Sequence, residues 1–238
     1  LSKDTHWVMA LLFARRGMVV FNVDYRLAPA HPFPAAVEDV CAAYAWVCRN
    51  AARHHADLDR LVLAGESAGG NLVTALTAAA CFEREEPYAR EVYATGVTPR
   101  VVLPACGLHQ VTDAGRFARR KPRLSRFVAD RIEEVAHAYV GDPARHASLD
   151  LADPLVLFEG AARASRTLPA FFLTCGTADP LLDDTRRLHG ALRARGVTAE
   201  ARYYPGEPHA FHAFVFRDSA RRHWADTFDF LDRHLGQT

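Results

Sequence analysis

The chain has 238 residues, 50% of them hydrophobic and 24% charged, with a formal net charge of +1. This near-neutral balance, without a basic run interleaved with aromatic residues, argues against nucleic acid and anionic membrane surfaces as partners. No apolar stretch approaches the roughly 18 residues of a membrane span, and the N-terminus lacks a signal-peptide pattern. We therefore expect one α/β domain over residues 1–238, with a small, roughly neutral molecule as its partner.

The five cysteines are scattered along the chain without CxxC spacing. An odd, unpaired set of this kind indicates neither a disulfide framework nor a zinc site. A reducing, cytoplasmic compartment is the expected location.

Strand and helix patterns alternate along the chain, as in a parallel sheet covered by helices on both faces. Strands are predicted over 18–23, 61–64, 100–105, 170–175 and 200–204, the first two of them apolar and buried. A helix is predicted over 5–16, with Asp4 as its cap and Gly17 as its end. Further helices are predicted around 37–47, over 71–81 and 184–195, and through a C-terminal stripe formed by Ala220, Trp224, Phe228, Leu231 and Leu235.

Residues 107–160 interrupt this alternation, because they contain no strand pattern. The segment is too long for an ordinary strand-to-helix connection, so we interpret it as an excursion over the sheet. It contains a helix pattern with Leu124, Val128, Ile132, Val135 and Tyr139 on one face. Its cationic stretch is interpreted as solvated surface and comprises Arg119, Arg120, Lys121 and Arg123.

The sequence Gly-Glu-Ser-Ala-Gly at 65–69 lies directly between a predicted strand and a predicted helix. That placement is typical of a nucleophile elbow, in which a strained turn raises the serine hydroxyl above the sheet. Gly65 and Gly69 are expected to be required because side chains there would collide with the strand and helix. The backbone N–H of Ala68 would start the helix and could donate to a developing oxyanion. A non-catalytic glycine-rich turn is the alternative, and the partners of Ser67 decide between the two.

A serine becomes a nucleophile when a base accepts its proton and a carboxylate orients that base. Such partners should follow later strands, because sites in open α/β sheets form beyond the carboxyl ends of the strands. Asp179 follows the predicted strand 170–175, and His209 follows the strand 200–204, which gives the chain order serine, acid, base. Competing residues have simpler explanations: helix capping for Asp183 and Asp184, solvation for Glu207, and packing or surface exposure for His212.

The chain resembles the bacterial hormone-sensitive-lipase-like esterases, an α/β-hydrolase family. The motifs that carry the resemblance are DYRLAP at 24–29, HPFPA at 31–35, GESAGGNL at 65–72, DPL at 179–181 and HAF at 209–211. The resemblance implies an α/β-hydrolase fold with Ser67 as nucleophile, Asp179 as triad acid and His209 as base. It also implies that 107–160 contributes a cap over the acyl pocket and that 24–29 is a structural loop near the site.

Three departures from the family pattern stand out. Glu66 replaces a common aspartate, Ala210 replaces a common glycine, and no His-Gly-Gly-Gly-type oxyanion segment precedes Asp4. Ala68 N–H is therefore the one oxyanion donor that can be named. Because the family's sheet has a strand between those at 18–23 and 61–64, we expect the chain to be N-terminally incomplete. Upstream residues would supply that strand, further donors and part of the cap.

Together these features predict hydrolysis of short- to medium-chain carboxylic esters through an acyl-enzyme, with no metal or organic cofactor. Hydrolysis should fall below about pH 6 to 7, where histidine becomes protonated. The same triad could act on an amide, lactone or carbamate, and a non-catalytic small-molecule binding protein is the alternative from another class. A small-molecule ester is the expected partner, and a homodimer is one assembly that the sequence allows.

Overall fold

The computed structural model describes residues 3–120 and 124–236. Its strands form one parallel sheet in the order β1-β2-β3-β4. These strands are β1 (Val62–Glu66), β2 (Val101–Ala105), β3 (Ala170–Gly176) and β4 (Ala199–Tyr204). The last four predicted strands are therefore confirmed, with bounds that shift by one or two residues.

Helices alternate with the strands, as the sequence predicts. They are α1 (Trp7–Ala14), α2 (Ala35–Asn50), α3 (Ala68–Cys81), α4 (Pro87–Ala94), α5 (Arg116–Arg120), α6 (Arg126–Val140), α7 (Pro154–Glu159), α8 (Leu182–Ala194) and α9 (Asp218–Leu235). Among the described helices, none is long and apolar enough to cross a membrane.

Alternating side chains of the central strands bury apolar surface on both faces of the sheet. Val102 and Phe171 pack into the larger core with side chains of α2, α3 and α8. Val101 and Phe172 point the other way and pack against α9. The predicted α/β architecture with helices on both faces is confirmed.

The first predicted helix and strand need correction. The helix begins at Trp7, and Asp4 lies in a separate 3-10 turn over Lys3–Thr5, so Asp4 is not its cap. Residues 18–23 form no strand, and three of their valines, Val19, Val20 and Val23, are exposed. The physical reason is that an isolated extended segment has no ladder partner, and no described strand lies beside this one.

One edge of β1 is open. The strand hydrogen-bonds to β2 on one side, and its other side lines a cavity of about 1060 Å³ whose far wall is formed by residues 18–25. None of the five residues of β1 is buried, which corrects the prediction of a buried strand here. Residues 18–23 and β1 therefore do not pair directly, and the cavity separates them.

The excursion over 107–160 contains α5, α6 and α7, and its described residues include no strand. The guanidinium of Arg116 donates to Asp184 at 2.6 Å, and both side chains are buried. Asp184 thus anchors the excursion to α8, and helix capping does not explain it. On α6, Val135 is 50% exposed and faces away from the core, contrary to the predicted stripe. Lys121 and Arg123 of the cationic stretch lie outside the described residues.

Candidate active site

Ser67 occupies a sharp turn between β1 and α3, as predicted for a nucleophile elbow. Its backbone has φ +56° and ψ −113°, a region that residues with a side chain rarely adopt. The Ser67 N–H donates to the carbonyl of Ala105 at 2.9 Å, which ties the turn to the end of β2. The hydroxyl is thereby presented at the carboxyl edge of the sheet.

Of the two glycines predicted to be required around Ser67, the structure confirms the crowding at Gly65 and contradicts it at Gly69. A Cβ on Gly65 would lie 2.2 Å from the carbonyl oxygen of Gly69, so position 65 tolerates no side chain. A Cβ on Gly69 would meet no described atom within 4 Å, so the predicted collision there is wrong. Gly70 is the second crowded position, because its Cβ would lie 3.0 Å from Gly107 Cα. The helix therefore approaches the start of the excursion through residue 70.

Asp179 and His209 converge on Ser67 in one chain of hydrogen bonds. His209 Nε2 lies 3.0 Å from Ser67 Oγ, and His209 Nδ1 lies 2.8 Å from Asp179 Oδ2. Asp179 is fully buried, and its other carboxylate oxygen accepts from Leu181 N–H at 2.8 Å. The carboxylate is thus fixed from two sides, and the imidazole lies between it and the hydroxyl.

The acid loop and the base loop are bound to each other through their backbones. Ala178 N–H donates to the carbonyl of Glu207 at 3.1 Å, and Gly206 N–H donates to the Thr177 hydroxyl at 2.7 Å. A Cβ on Gly176 would lie 2.0 Å from that same Glu207 carbonyl oxygen. Residue 176 must therefore be glycine for the two loops to approach this closely.

The electrostatic surroundings of His209 favour its charged form overall. Burial lowers the pKa of His209, but the hydrogen bond that its Nδ1–H donates to Asp179 and the charges of Asp179 and Glu66 outweigh burial, so the pKa is raised above its usual value. A base of this kind accepts a proton more readily than an isolated histidine does.

Cys106 completes a group of donors around the triad. Its sulfur, a carboxylate oxygen of Asp179 and a ring nitrogen of His209 all lie within 4.8 Å of one another, and zinc takes ligands of these types. Burial, with the charges of Asp179 and Glu66, raises the pKa of Cys106 well above its usual value. Without a metal ion the thiol is therefore protonated, and Asp179 and His209 are hydrogen-bonded to each other.

Among the residues that competed with the triad, Asp184, described above, and Glu207 are placed differently from expectation. His212 is buried, in agreement with a packing role. Glu207 is also buried and lies 3.2 Å from an Arg217 nitrogen, so its interpretation as a solvated acid is wrong. Sequence reasoning also missed the contact of His212 Nε2 with Glu66 Oε2 at 2.8 Å. The available signal was position, since Glu66 precedes Ser67 and His212 follows His209 by three residues.

Two further predicted elements adjoin the site. Ala68 is the first residue of α3, so its N–H has no intrahelical acceptor and lies next to the nucleophile. Tyr25 and Leu27 of the 24–29 loop line the same cavity as Ser67.

Asn71 of the GESAGGNL motif donates to the carbonyls of Leu108 and Ala152, which holds both ends of the excursion to α3.

Comparison with known proteins identifies the family to which the chain belongs. Residues 2–213 match the family of the alpha/beta hydrolase fold. Carboxylesterase NlhH of Mycobacterium tuberculosis is 35% identical over an aligned region of 221 residues that covers 89% of this chain and 61% of that protein. The acetyl esterase of Salmonella paratyphi A is 30% identical over 87% of this chain and 60% of that protein.

A crystal structure of an esterase from the bacterial hormone-sensitive lipase family is also similar. It matches with a TM-score of 0.77 at 30% identity, over 99% of this chain and 73% of that chain. The chain belongs to the alpha/beta hydrolase family, in its hormone-sensitive lipase branch. It spans about three fifths of the length of the two curated relatives.

The crowding at residue 65 predicts an unequal response to two glycine substitutions. Gly65→Ala should lower the free energy of unfolding by about 1–3 kcal/mol or more, because Gly69 carbonyl oxygen must move. Gly190→Ala on the exposed side of α8 is the control, since its Cβ meets no described atom within 4 Å. Gly190→Ala should raise the free energy of unfolding by up to about 1 kcal/mol. Urea denaturation measures both, and equal stabilities would contradict the close approach.

Proposed function

We propose that the protein is a carboxylic ester hydrolase that works through a Ser67 acyl-enzyme. The observation that carries the proposal is the unbroken hydrogen-bond chain from Ser67 Oγ through His209 to Asp179, at 3.0 and 2.8 Å. Its membership of a family with carboxylesterase and acetyl esterase relatives supports the same reaction class. Short- to medium-chain acyl esters are the proposed substrates.

The proposed reaction has two steps. His209 Nε2 accepts the Ser67 proton as the hydroxyl oxygen attacks the ester carbonyl, and it then gives that proton to the departing alcohol. Water next attacks the acyl-enzyme, again losing a proton to His209, and releases the carboxylic acid with Ser67 restored. Asp179 stays ionised and keeps Nδ1 protonated, so Nε2 is free to accept.

The tetrahedral intermediate requires donors to its oxyanion, and Ala68 N–H is the donor proposed from this chain. Loss of one such donor typically costs about 10²- to 10³-fold in turnover, so a single donor would give a weak catalyst. The open edge of β1 and the cavity beside it, which reaches Ser67, support a further proposal. An extended segment outside residues 1–238 would pair with β1 there and bring additional donors. Direct pairing of residues 18–23 with β1 in a longer chain would contradict it.

The cap function of residues 107–160 is also a proposal. On α6, the carbonyl of Tyr139 accepts from Phe33 N–H at 2.7 Å, and the two rings pack edge to face. Tyr25 packs in the same apolar cluster as Tyr139 and also lines the cavity that reaches Ser67. The helix is therefore attached to a wall of the cavity that reaches Ser67, where a cap would have to act.

Replacement of the nucleophile tests the proposal. Ser67→Ala should leave folding nearly unchanged and lower hydrolysis of p-nitrophenyl esters at least about 10⁴-fold, because no other group takes over the attack. Ser165→Ala is the matched control, since that hydroxyl donates to the Cys81 carbonyl and lies outside the triad.

A panel of p-nitrophenyl esters from acetate to palmitate, with an amide and a lactone, reports the substrate class. Unchanged hydrolysis by Ser67→Ala, or binding of esters without turnover by the unaltered protein, would contradict the proposal.

The pH dependence follows from the raised pKa of His209. Because only the neutral imidazole accepts the Ser67 proton, kcat/KM should rise with pH through this pKa. The midpoint should therefore lie above the ordinary histidine value of about 6.5. Initial rates between pH 5 and 9 at low ester concentration measure it. A rate that stays constant down to about pH 5 would show that a different base acts.

A further inference from the structure

Glu66 and His212 connect the two segments that carry the nucleophile and the base. Glu66 is the last residue of β1 and directly precedes Ser67, whereas His212 lies on a 3-10 turn (Phe211–Ala213) just after His209. His212 Nε2 lies 2.8 Å from Glu66 Oε2. The contact therefore spans the same gap as the hydrogen bond between His209 and Ser67, by a separate route.

The ring of His212 is held firmly from the other side. It stacks on His223 of α9 with centroids 4.6 Å apart and planes inclined by 24°. The carbonyl of His212 accepts from Trp224 Nε1 at 3.0 Å. Burial, with the charge of His212, lowers the pKa of His223 well below its usual value, so His223 is a neutral packing surface. His212 thus fixes the end of the base loop to α9, and its free edge faces Glu66.

The backbone between His209 and His212 requires such support. Ala210 adopts φ +56° and ψ +26°, a left-handed conformation that is unfavourable for a residue with a Cβ. It turns the chain so that His209 faces Ser67 while His212 faces Glu66. Without an anchor beyond Ala210, the loop could relax and carry the imidazole away from the hydroxyl.

Glu66 also acts on His209 through its charge. Burial raises the pKa of Glu66, but the His212 contact, with smaller contributions from His6 and His209, outweighs burial, so the pKa is lowered and the carboxylate is ionised. The charge of Glu66 favours the protonated form of His209. This contribution to the His209 pKa is smaller than that of burial, which lowers the pKa, and that of Asp179, which raises it. Other titratable groups around Glu66 and its partner are His6, at 3.8 Å from Oε1, and Tyr25, Cys106, Asp179 and His223.

We propose that Glu66 and His212 form a second carboxylate–imidazole pair, outside the triad, that positions His209 for proton transfer with Ser67. Neither residue touches the reacting ester, so both are positioning residues. The inference rests on the proposed ester hydrolysis for its kinetic consequences. Its effect on His209 can be measured in the protein without any ester.

Kinetics of Glu66→Gln, His212→Gln and the double variant test the pair. We expect His212→Gln to lower kcat about 10- to 100-fold with KM nearly unchanged, because misplacement of a catalytic group by about 1 Å has effects of that size. The double variant should lose no more kcat than the single variant with the larger loss, because the effects of two members of one pair are not additive. Glu200→Gln and His189→Gln are the matched controls. Glu200 and Ala199, whose carbonyl contacts His189, lie at the start of β4, whereas His209 follows its end. Additive losses, or losses equal to the controls, would overturn the proposal.

NMR titration of ¹⁵N-labelled imidazoles, with His209 assigned from His209→Gln, gives a readout that needs no hydrolysis. Glu66→Gln should lower the pKa of His209, because a negative charge that favours the imidazolium is removed. Glu66→Asp keeps the charge but withdraws the carboxylate by one methylene, so it should restore the pKa while kcat stays reduced. If Glu66→Gln does not fold, Glu66→Asp still tests positioning through kcat. An unchanged His209 pKa in folded Glu66→Gln would overturn the inference, whereas active Ser67→Ala would overturn the hydrolase proposal alone.

Discussion

The close approach of the Gly69 carbonyl to residue 65 is the constraint on which the site depends. A Cβ at position 65 would lie 2.2 Å from that oxygen, so the chain can reverse from β1 into α3 only because residue 65 is glycine. The reversal forces Ser67 into its unusual backbone conformation, at a cost of order 1–3 kcal/mol. In return, the hydroxyl projects beyond the sheet while its own N–H is satisfied by Ala105. Parallel pairing of β3 and β4 then brings Asp179 and His209 to the same edge.

Local pattern was sufficient to predict the parts of the fold that depend on neighbours in sequence. Strands β2 and β3 have apolar runs, β4 alternates charged with less polar residues, and all three formed where expected. The order of Ser67, Asp179 and His209 after successive strands predicted their convergence, because parallel strands share one carboxyl edge. The hydrogen-bonded geometry of the three residues agrees with that expectation, while their catalytic roles stay a proposal.

The features that the sequence could not predict all depend on distant partners. Residues 18–23 have the composition of a strand, but no described strand lies beside them to complete a ladder. Asp184 looks like a helix-capping acid until Arg116 of the excursion is seen against it. Similarly, Glu66 and His212 are 146 positions apart by number, and the folded chain, with its turn at Ala210, brings them into contact.

Covalent labelling of the resting protein with a fluorophosphonate tests the central claim that Ser67 is an activated nucleophile. Such a reagent reacts with a serine whose proton is taken by a neighbouring base, and peptide mass spectrometry identifies the modified residue. An activated Ser67 should give one adduct, on the peptide that contains Ser67, and His209→Gln should show a large loss of labelling. An adduct on another residue with Ser67 unmodified, or labelling of Ser67 that does not depend on His209, would contradict it.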